Sequence, residues 1–319
     1  MSANAYLVRM KPAPASLRAL ALLVLLLIAF FVSARIFSPL LLLDNIRQAA
    51  PLGVVVLGQA LVLMMGRLDL SVGATASMAN IVLCATFNGD MANIVPAITL
   101  TLGAGALVGL ANGLMATKLK IPAFLATLAT SMIVAGLVVF FTGGSPRGAV
   151  PAGFRVVTEG WFFGIVPYSA LIWLVLLVGL MLLVHYTMLG RKMILSGANL
   201  VAARHSGIPS DGLIVLSFVL CSLLAATGGI LLSAITGMAS IGVGNGFTLD
   251  SIAAAVIGGA LFSGGVFLPL GAMAGALILF VVQSLLYLLA LPPAAKFIVQ
   301  GGIIVLALAL ASFRKGRSS

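Results

Sequence analysis

The sequence has 319 residues, of which 62% are hydrophobic and only 7% charged. A soluble domain carries about 25% charged residues, so this chain cannot cover a water-facing surface, which excludes an ordinary cytosolic enzyme, a disordered tail and a secreted disulfide scaffold. Its 17 Lys+Arg against 6 Asp+Glu give a net charge of +11, which in a polytopic membrane chain marks cytoplasmic loops rather than a nucleic-acid surface.

A helical span takes about 20 residues, so the length and the mean hydropathy of +1.27 predict an all-α membrane protein of about ten spans. Residues 1–16 form a polar cytoplasmic tail with Arg9, Lys11, Pro12 and Pro14. The apolar run Ala19–Val32 extends to Phe37 and reads as a retained first span, although Val32-Ser33-Ala34 has the small residues of a signal-peptide cleavage site. Further spans are expected near 46–65, 70–87, 94–117, 121–142, 166–186, 212–236, 250–263, 268–290 and 297–313. Residues 17–313 thus form one membrane domain, and 314–319 a basic cytoplasmic tail.

The interruptions carry the local chemistry. Gly66-Arg67-Leu68-Asp69 breaks the second and third spans, Lys118-Leu119-Lys120 closes the fourth, and Pro122 suits the first turn of the fifth. Residues 143–165 read as a polar loop, 187–211 as the longest charged internal loop, and Pro292-Pro293 as the last break. With the N-terminus inside, twelve bases fall on the inner side: Arg9, Lys11, Arg18, Arg67, Lys118, Lys120, Arg191, Lys192, Arg204, Arg314, Lys315 and Arg317. Five fall outside, namely Arg35, Arg47, Arg147, Arg155 and Lys296. Both termini are therefore expected in the cytoplasm.

Gly105, Gly109 and Gly113 stand four apart on one helix face, and Gly271 and Gly275 repeat the spacing. Such faces let helix backbones pack closely in lipid. Cys84 and Cys221 lie in apolar runs and read as small core residues, with no metal-ligand spacing around them. The chain has no phosphate-binding loop, no His-Glu-x-x-His and no nucleophile elbow. Its two histidines, His185 and His205, have no carboxylate neighbour in sequence, and no catalytic group is assigned.

Asp69 and Asp250 are the two carboxylates beside helix starts, in Leu68-Asp69-Leu70-Ser71 and Leu249-Asp250-Ser251. Both read as helix caps, accepting from free backbone N–H groups. They fall in the third and eighth spans, which suggests that spans two to five and seven to ten are inverted repeats. Polar residues within spans are pathway candidates for a polar solute: Gln59, Asn80, Asn112, Thr127, Thr130, Ser131, Asn245 and Gln283, with Phe124 able to stack on a sugar face. In lipid such groups also bridge helices by hydrogen bonds.

Three stretches resemble one family. Met65-Gly66-Arg67-Leu68-Asp69-Leu70-Ser71-Val72-Gly73, Lys120-Ile121-Pro122-Ala123-Phe124-Leu125-Ala126-Thr127-Leu128-Ala129 and Leu249-Asp250-Ser251-Ile252-Ala253-Ala254-Ala255-Val256-Ile257-Gly258-Gly259 are similar to segments of bacterial sugar ABC importer permeases of the ribose/xylose/arabinose type. Ser196-Gly197-Ala198-Asn199-Leu200-Val201-Ala202-Ala203-Arg204-His205-Ser206-Gly207-Ile208 resembles that family's ATPase-coupling loop. Physically, Asn199 is an N-cap, Leu200–His205 a short helix and Gly207 a left-handed stop. Ala202 and Ala203 keep its face small, and Arg204 is placed to meet an acidic partner. Arg67 stands where the family has glycine, beside Asp69; Leu200 and Val201 stand where it often has proline and an acid.

The resemblance implies an inner-membrane permease subunit with no cofactor of its own. ATP and Mg would be bound by two partner ATPase domains. A second permease chain, identical or different, would complete the pathway, and a periplasmic sugar-binding protein would deliver solute. A stand-alone secondary transporter or channel is the alternative.

Overall fold

The computed structural model describes residues 39–288 together with 290, 292, 294, 297, 298, 301, 302 and 305. The expected first span, both tails, Arg9, Lys11, Arg18, Arg35, Lys296, Arg314, Lys315 and Arg317, and most of the span expected over 297–313, lie outside these residues.

Among the described residues eleven α-helices run in order: α1 Pro39–Met64, α2 Val72–Phe87, α3 Ile94–Thr117, α4 Ala123–Thr142, α5 Ala152–Glu159, α6 Tyr168–Tyr186, α7 Met188–Ala198, α8 Leu200–His205, α9 Ser210–Thr236, α10 Phe247–Ile257 and α11 Pro269–Leu288. A 3₁₀ turn, Met91–Asn93, leads into α3. Among the described residues five helices (α1, α3 with its 3₁₀ turn, α4, α6 and α9) are long and apolar enough to cross a membrane, and α2, α10 and most of α11 are shorter apolar helices. In chain order these eight fall on the second to ninth expected spans, so the polytopic helical class is observed.

The core sits around α1 and α9. Val54–Leu57 and Leu61–Met64 of α1 pack with Ile214, Phe218, Cys221 and Ala225 of α9, all buried. By contrast α3, α4 and α6 expose long apolar faces, among them Leu107, Leu128, Met132 and Val175. The glycine face of α3 meets α9 as its spacing predicts. A methyl group on Gly109 would stand 2.5 Å from the Phe218 carbonyl oxygen, and one on Gly113 2.7 Å from the Val215 Cα. Gly271 and Gly275 lie in the same way against Gly258 and Ala254 at the end of α10.

The chain before α2 and before α10 is not helical, which is why both helices are short. Buried irregular backbone needs donors and acceptors from elsewhere, and side chains of neighbouring helices supply them. Leu70 donates its N–H to Thr127 Oγ1 at 3.0 Å. Ser240 donates its N–H to Asn80 Oδ1 at 2.8 Å, and Gly244 to Ser77 Oγ at 2.9 Å. The expected span 250–263 is corrected accordingly: α10 starts at Phe247 and stops at Ile257, and Gly259 at φ +96° and Gly264 and Gly265 near +80° turn the chain into α11.

Two expected loops contain helices. Within 143–165, amphipathic α5 buries Phe154 against Phe87, with ring centroids 4.9 Å apart, and carries an Arg155–Glu159 ion pair. A short hairpin follows, β1 Trp161–Phe162 antiparallel to β2 Val166–Pro167, with Trp161 opposite Pro167. Within 187–211, α7 and α8 form an elbow.

Candidate functional site

The α7–α8 elbow is built from local caps. Thr187 accepts the Gly190 N–H at the start of α7, and Asn199 accepts the Ala202 N–H at 3.0 Å at the start of α8. Gly207, at φ +75°, turns the chain, and Ile208 donates its N–H back to the Ala203 carbonyl at 3.0 Å. Ala203 is buried while Val201 and Ala202 are exposed, so only one alanine of the pair is on the outward face. Arg204 Nη2 donates to Asp211 Oδ1 at 2.6 Å, an exposed pair within the chain. Such a pair contributes at most about 1 kcal/mol, so it orients α8 rather than holding the fold.

The root of the elbow is clamped to the core. Gly197 lies directly on the Met64 carbonyl at the end of α1. Gly265 donates its N–H to that same oxygen at 2.7 Å. Gly264 packs against the Gly197 carbonyl and the Gly66 nitrogen, and Ser196 Oγ meets Ser210 Oγ at 3.0 Å. The end of α1, the turn before α11 and the elbow are therefore in backbone contact, a junction that only glycine permits.

Asp69 is fully buried. Its Oδ1 accepts both the N–H of Ser71 at 2.8 Å and the hydroxyl of Ser71 at 2.6 Å. Asn112 Nδ2 donates to that hydroxyl oxygen at 2.8 Å. Asp69 thus organises the entry into α2 through a side-chain turn, while Ser71 itself occupies the cap position. Gly73 packs against Gly244, Asn245 and Thr248, bringing the chain before α10 onto the base of α2. Arg67 makes no ion pair with Asp69; it points into a cavity with Lys120.

The capping expectation for Asp250 and Ser251 is corrected. Gly246 holds the cap position of α10, and Asp250 lies one turn inside, its N–H donating to the Gly246 carbonyl. The preceding segment is pinned by Asn80 and Ser77 of α2, so the helix starts earlier than Leu249-Asp250 suggests. Asp250 Oδ2 instead accepts from Gln283 Nε2 of α11 at 3.3 Å.

The pathway candidates divide. Asn80 donates to Ser233 Oγ at 2.9 Å and to the Met238 carbonyl at 3.2 Å. Asn80, Asn112, Thr127 and Thr130 are all buried, with hydrogen bonds inside the chain. Gln283 bridges to Asp250. Gln59 is fully buried, and both its side-chain polar atoms lack hydrogen-bond partners. Phe124 is half exposed on α4, Asn245 is exposed before α10, and Ser131 is partly buried. Thr127 and Asn112 both meet the turn before α2, and Asn80 holds the segment before α10 that carries Asn245. Among the described residues no group of three or more His, Cys, Asp or Glu side chains is placed to hold a metal ion.

A helical bundle with broken spans and a capped helix standing off one end defines a membrane transport subunit. Comparison with known proteins agrees. Residues 41–308 match the family described as branched-chain amino acid transport system / permease component. The chain is 33% identical over 295 residues to the ribose import permease protein RbsC of Escherichia coli, covering 90% of each chain. It is also 33% identical to the RbsC protein of Bacillus subtilis, over 91% of this chain and 90% of that one. The autoinducer 2 import system permease protein LsrC of Salmonella paratyphi B is 33% identical over 74% of this chain and 68% of its own. No solved structure matches. The chain belongs to this family of transport permeases, and its long apolar helices make it a multi-pass membrane protein.

Proposed function

We propose that this chain is the membrane-spanning subunit of an ATP-driven importer for a sugar or sugar-like solute. The observation that carries the reading is the α7–α8 elbow: a short capped helix with exposed Val201 and Ala202, whose root touches the ends of α1 and the turn before α11. A partner ATPase docked on α8 can move that junction, and a difference in contacts between two states is what ATP binding needs to drive transport. The sugar assignment rests on relatives named for ribose and autoinducer 2 import.

Ten spans within 17–313, with both termini cytoplasmic, complete this reading. The packing supports the inverted halves. Helix α9 packs on α3 and α2, while α1 packs on α11 and α10. Exchanging α1 with α9, α2 with α10 and α3 with α11 turns each pairing into another that is present. The exposed apolar faces of α3, α4 and α6 leave room for a second permease chain, identical or different, and for lipid. Pathway residues are drawn from the exposed set, chiefly Phe124 and Asn245. A periplasmic sugar-binding protein would feed the opposite end. Uptake assayed with and without a co-expressed ATPase subunit tests the function: ATPase-dependent uptake supports it, and undiminished uptake without ATPase favours a stand-alone transporter.

A further inference from the structure

A cavity of about 630 Å³ opens at the elbow end of the bundle, lined by Arg67, Thr117, Lys120, Pro122, Arg204 and Asp211. Its charge is unbalanced. Arg204 is neutralised by Asp211, but Arg67 and Lys120 have no carboxylate partner among the described residues. All six acids of the sequence are described: Asp44 pairs with Arg47, Glu159 with Arg155, Asp90 caps the 3₁₀ turn, and Asp69 and Asp250 are buried. The N-terminus of the 20-residue α4 begins immediately after Pro122 and adds its positive dipole end. Arg67 and Lys120 line this cavity, and the first residues of α4, Ala123 and Phe124, line a neighbouring chamber that shares Arg67 and Pro122, so the helix N-terminus lies beside the two bases and together they make an anion site.

A second chamber of about 340 Å³ shares Arg67 and Pro122 and is lined by Leu68, Phe124 and Phe262. Leu119 and Phe124 beside it are exposed apolar side chains. A cationic chamber joined to an apolar one, at the edge of an exposed apolar face, suits an amphiphile with an anionic head. Lys120 holds φ +55°, a left-handed conformation that directs the chain around the cavity rim into Pro122. Arg67 thereby acquires a role.

We propose that Arg67 and Lys120, with the N-terminus of α4, bind a phosphate-bearing anion at the inner face, supplied by an anionic phospholipid headgroup or by a soluble phosphate ester. The test is native mass spectrometry of the purified full-length chain. One arm titrates phosphatidylglycerol with phosphatidylcholine as control; the other titrates glycerol phosphate. Each base contributes about 5-fold to affinity for an anionic headgroup. Arg67→Gln and Lys120→Asn are each expected to weaken binding by about that factor, while Lys192→Gln, on exposed α7, leaves it unchanged. Asparagine at this position tolerates the left-handed backbone, and unchanged thermal melting of both variants shows that folding is intact. Variant-sensitive phosphatidylglycerol binding identifies the lipid source, and variant-sensitive glycerol phosphate binding alone identifies the soluble one. If neither ligand responds to Arg67→Gln and Lys120→Asn, as when a partner protein's carboxylates fill the cavity instead, the proposal fails.

Discussion

Gly265 donates its N–H to the carbonyl oxygen of Met64 across 2.7 Å, and Gly197 closes over the same oxygen. This contact links the turn before α11 to the end of α1 beneath the α7–α8 elbow. A side chain at 197 has no room, because the obstructing atoms are backbone. Gly197→Val is expected to cost upwards of about 1–3 kcal/mol, the usual range for overpacking. Thermal unfolding in detergent measures it. Gly212→Ala, at a glycine with open space around it, is the control and is expected to melt like the unmodified chain.

Variants of the elbow test the proposed coupling separately from folding. Gly207 sits at φ +75°, which proline, fixed near −65°, cannot adopt. Gly207→Pro is expected to lower ATP-driven uptake at least about 10-fold, equivalent to 1.4 kcal/mol of lost coupling, with normal membrane insertion. Arg204→Glu sets two carboxylates against each other at Asp211 and is expected to reduce uptake in the same direction. The swap Arg204→Glu with Asp211→Arg restores the intramolecular pair. Full recovery of uptake in the swap would show that Arg204 only orients α8, whereas persistent loss would place it against the ATPase.

Asp69→Asn is expected to be tolerated and Asp69→Leu is not. The asparagine side chain keeps an oxygen for the N–H and hydroxyl of Ser71 and offers an amide toward Asn112, which lies beside it. Asp69→Leu strands both Ser71 donors in a buried site, at about 1–3 kcal/mol each. Melting temperatures of the two variants, measured alongside solute uptake, check this. Equal destabilisation by the two substitutions would mean that the negative charge itself is required.

Asn80 is expected to behave as a strut. Besides a bond to Cys84 Sγ one turn on, its hydrogen bonds hold Ser233, Met238 and Ser240, and side-chain bonds between membrane helices contribute about 0.6–1.7 kcal/mol each. Asn80→Leu should lower the melting temperature without changing which solutes are carried. A changed substrate range at normal stability would return Asn80 to the pathway.

What could be read from the sequence was local. The Asn199 cap, the Leu200–His205 helix and the Gly207 stop follow from residues within nine positions, and each is found. The glycines of α3 declared their face through spacing alone. The start of α10 did not, because it depends on Asn80 and Ser77 more than 160 positions away. The roles of Asn80, Asn112 and Thr127 were hidden for the same reason: irregular buried backbone draws its partners from helices whose register a sequence does not display. Helices α5 and α7 were concealed by their polar faces between long apolar runs. The pairing of Arg67 with Lys120 around one cavity crosses more than fifty positions, and only the fold brings them together.

Energy is proposed to enter this permease through α8. The most direct measurement is solute uptake into proteoliposomes holding this chain with the proposed ATPase and second permease chain, supplied with binding protein, with and without ATP. Uptake that requires both ATP and ATPase, and that falls at least about 10-fold in Gly207→Pro, is the predicted result. Uptake at full rate without ATPase, or unchanged in Gly207→Pro, would contradict it.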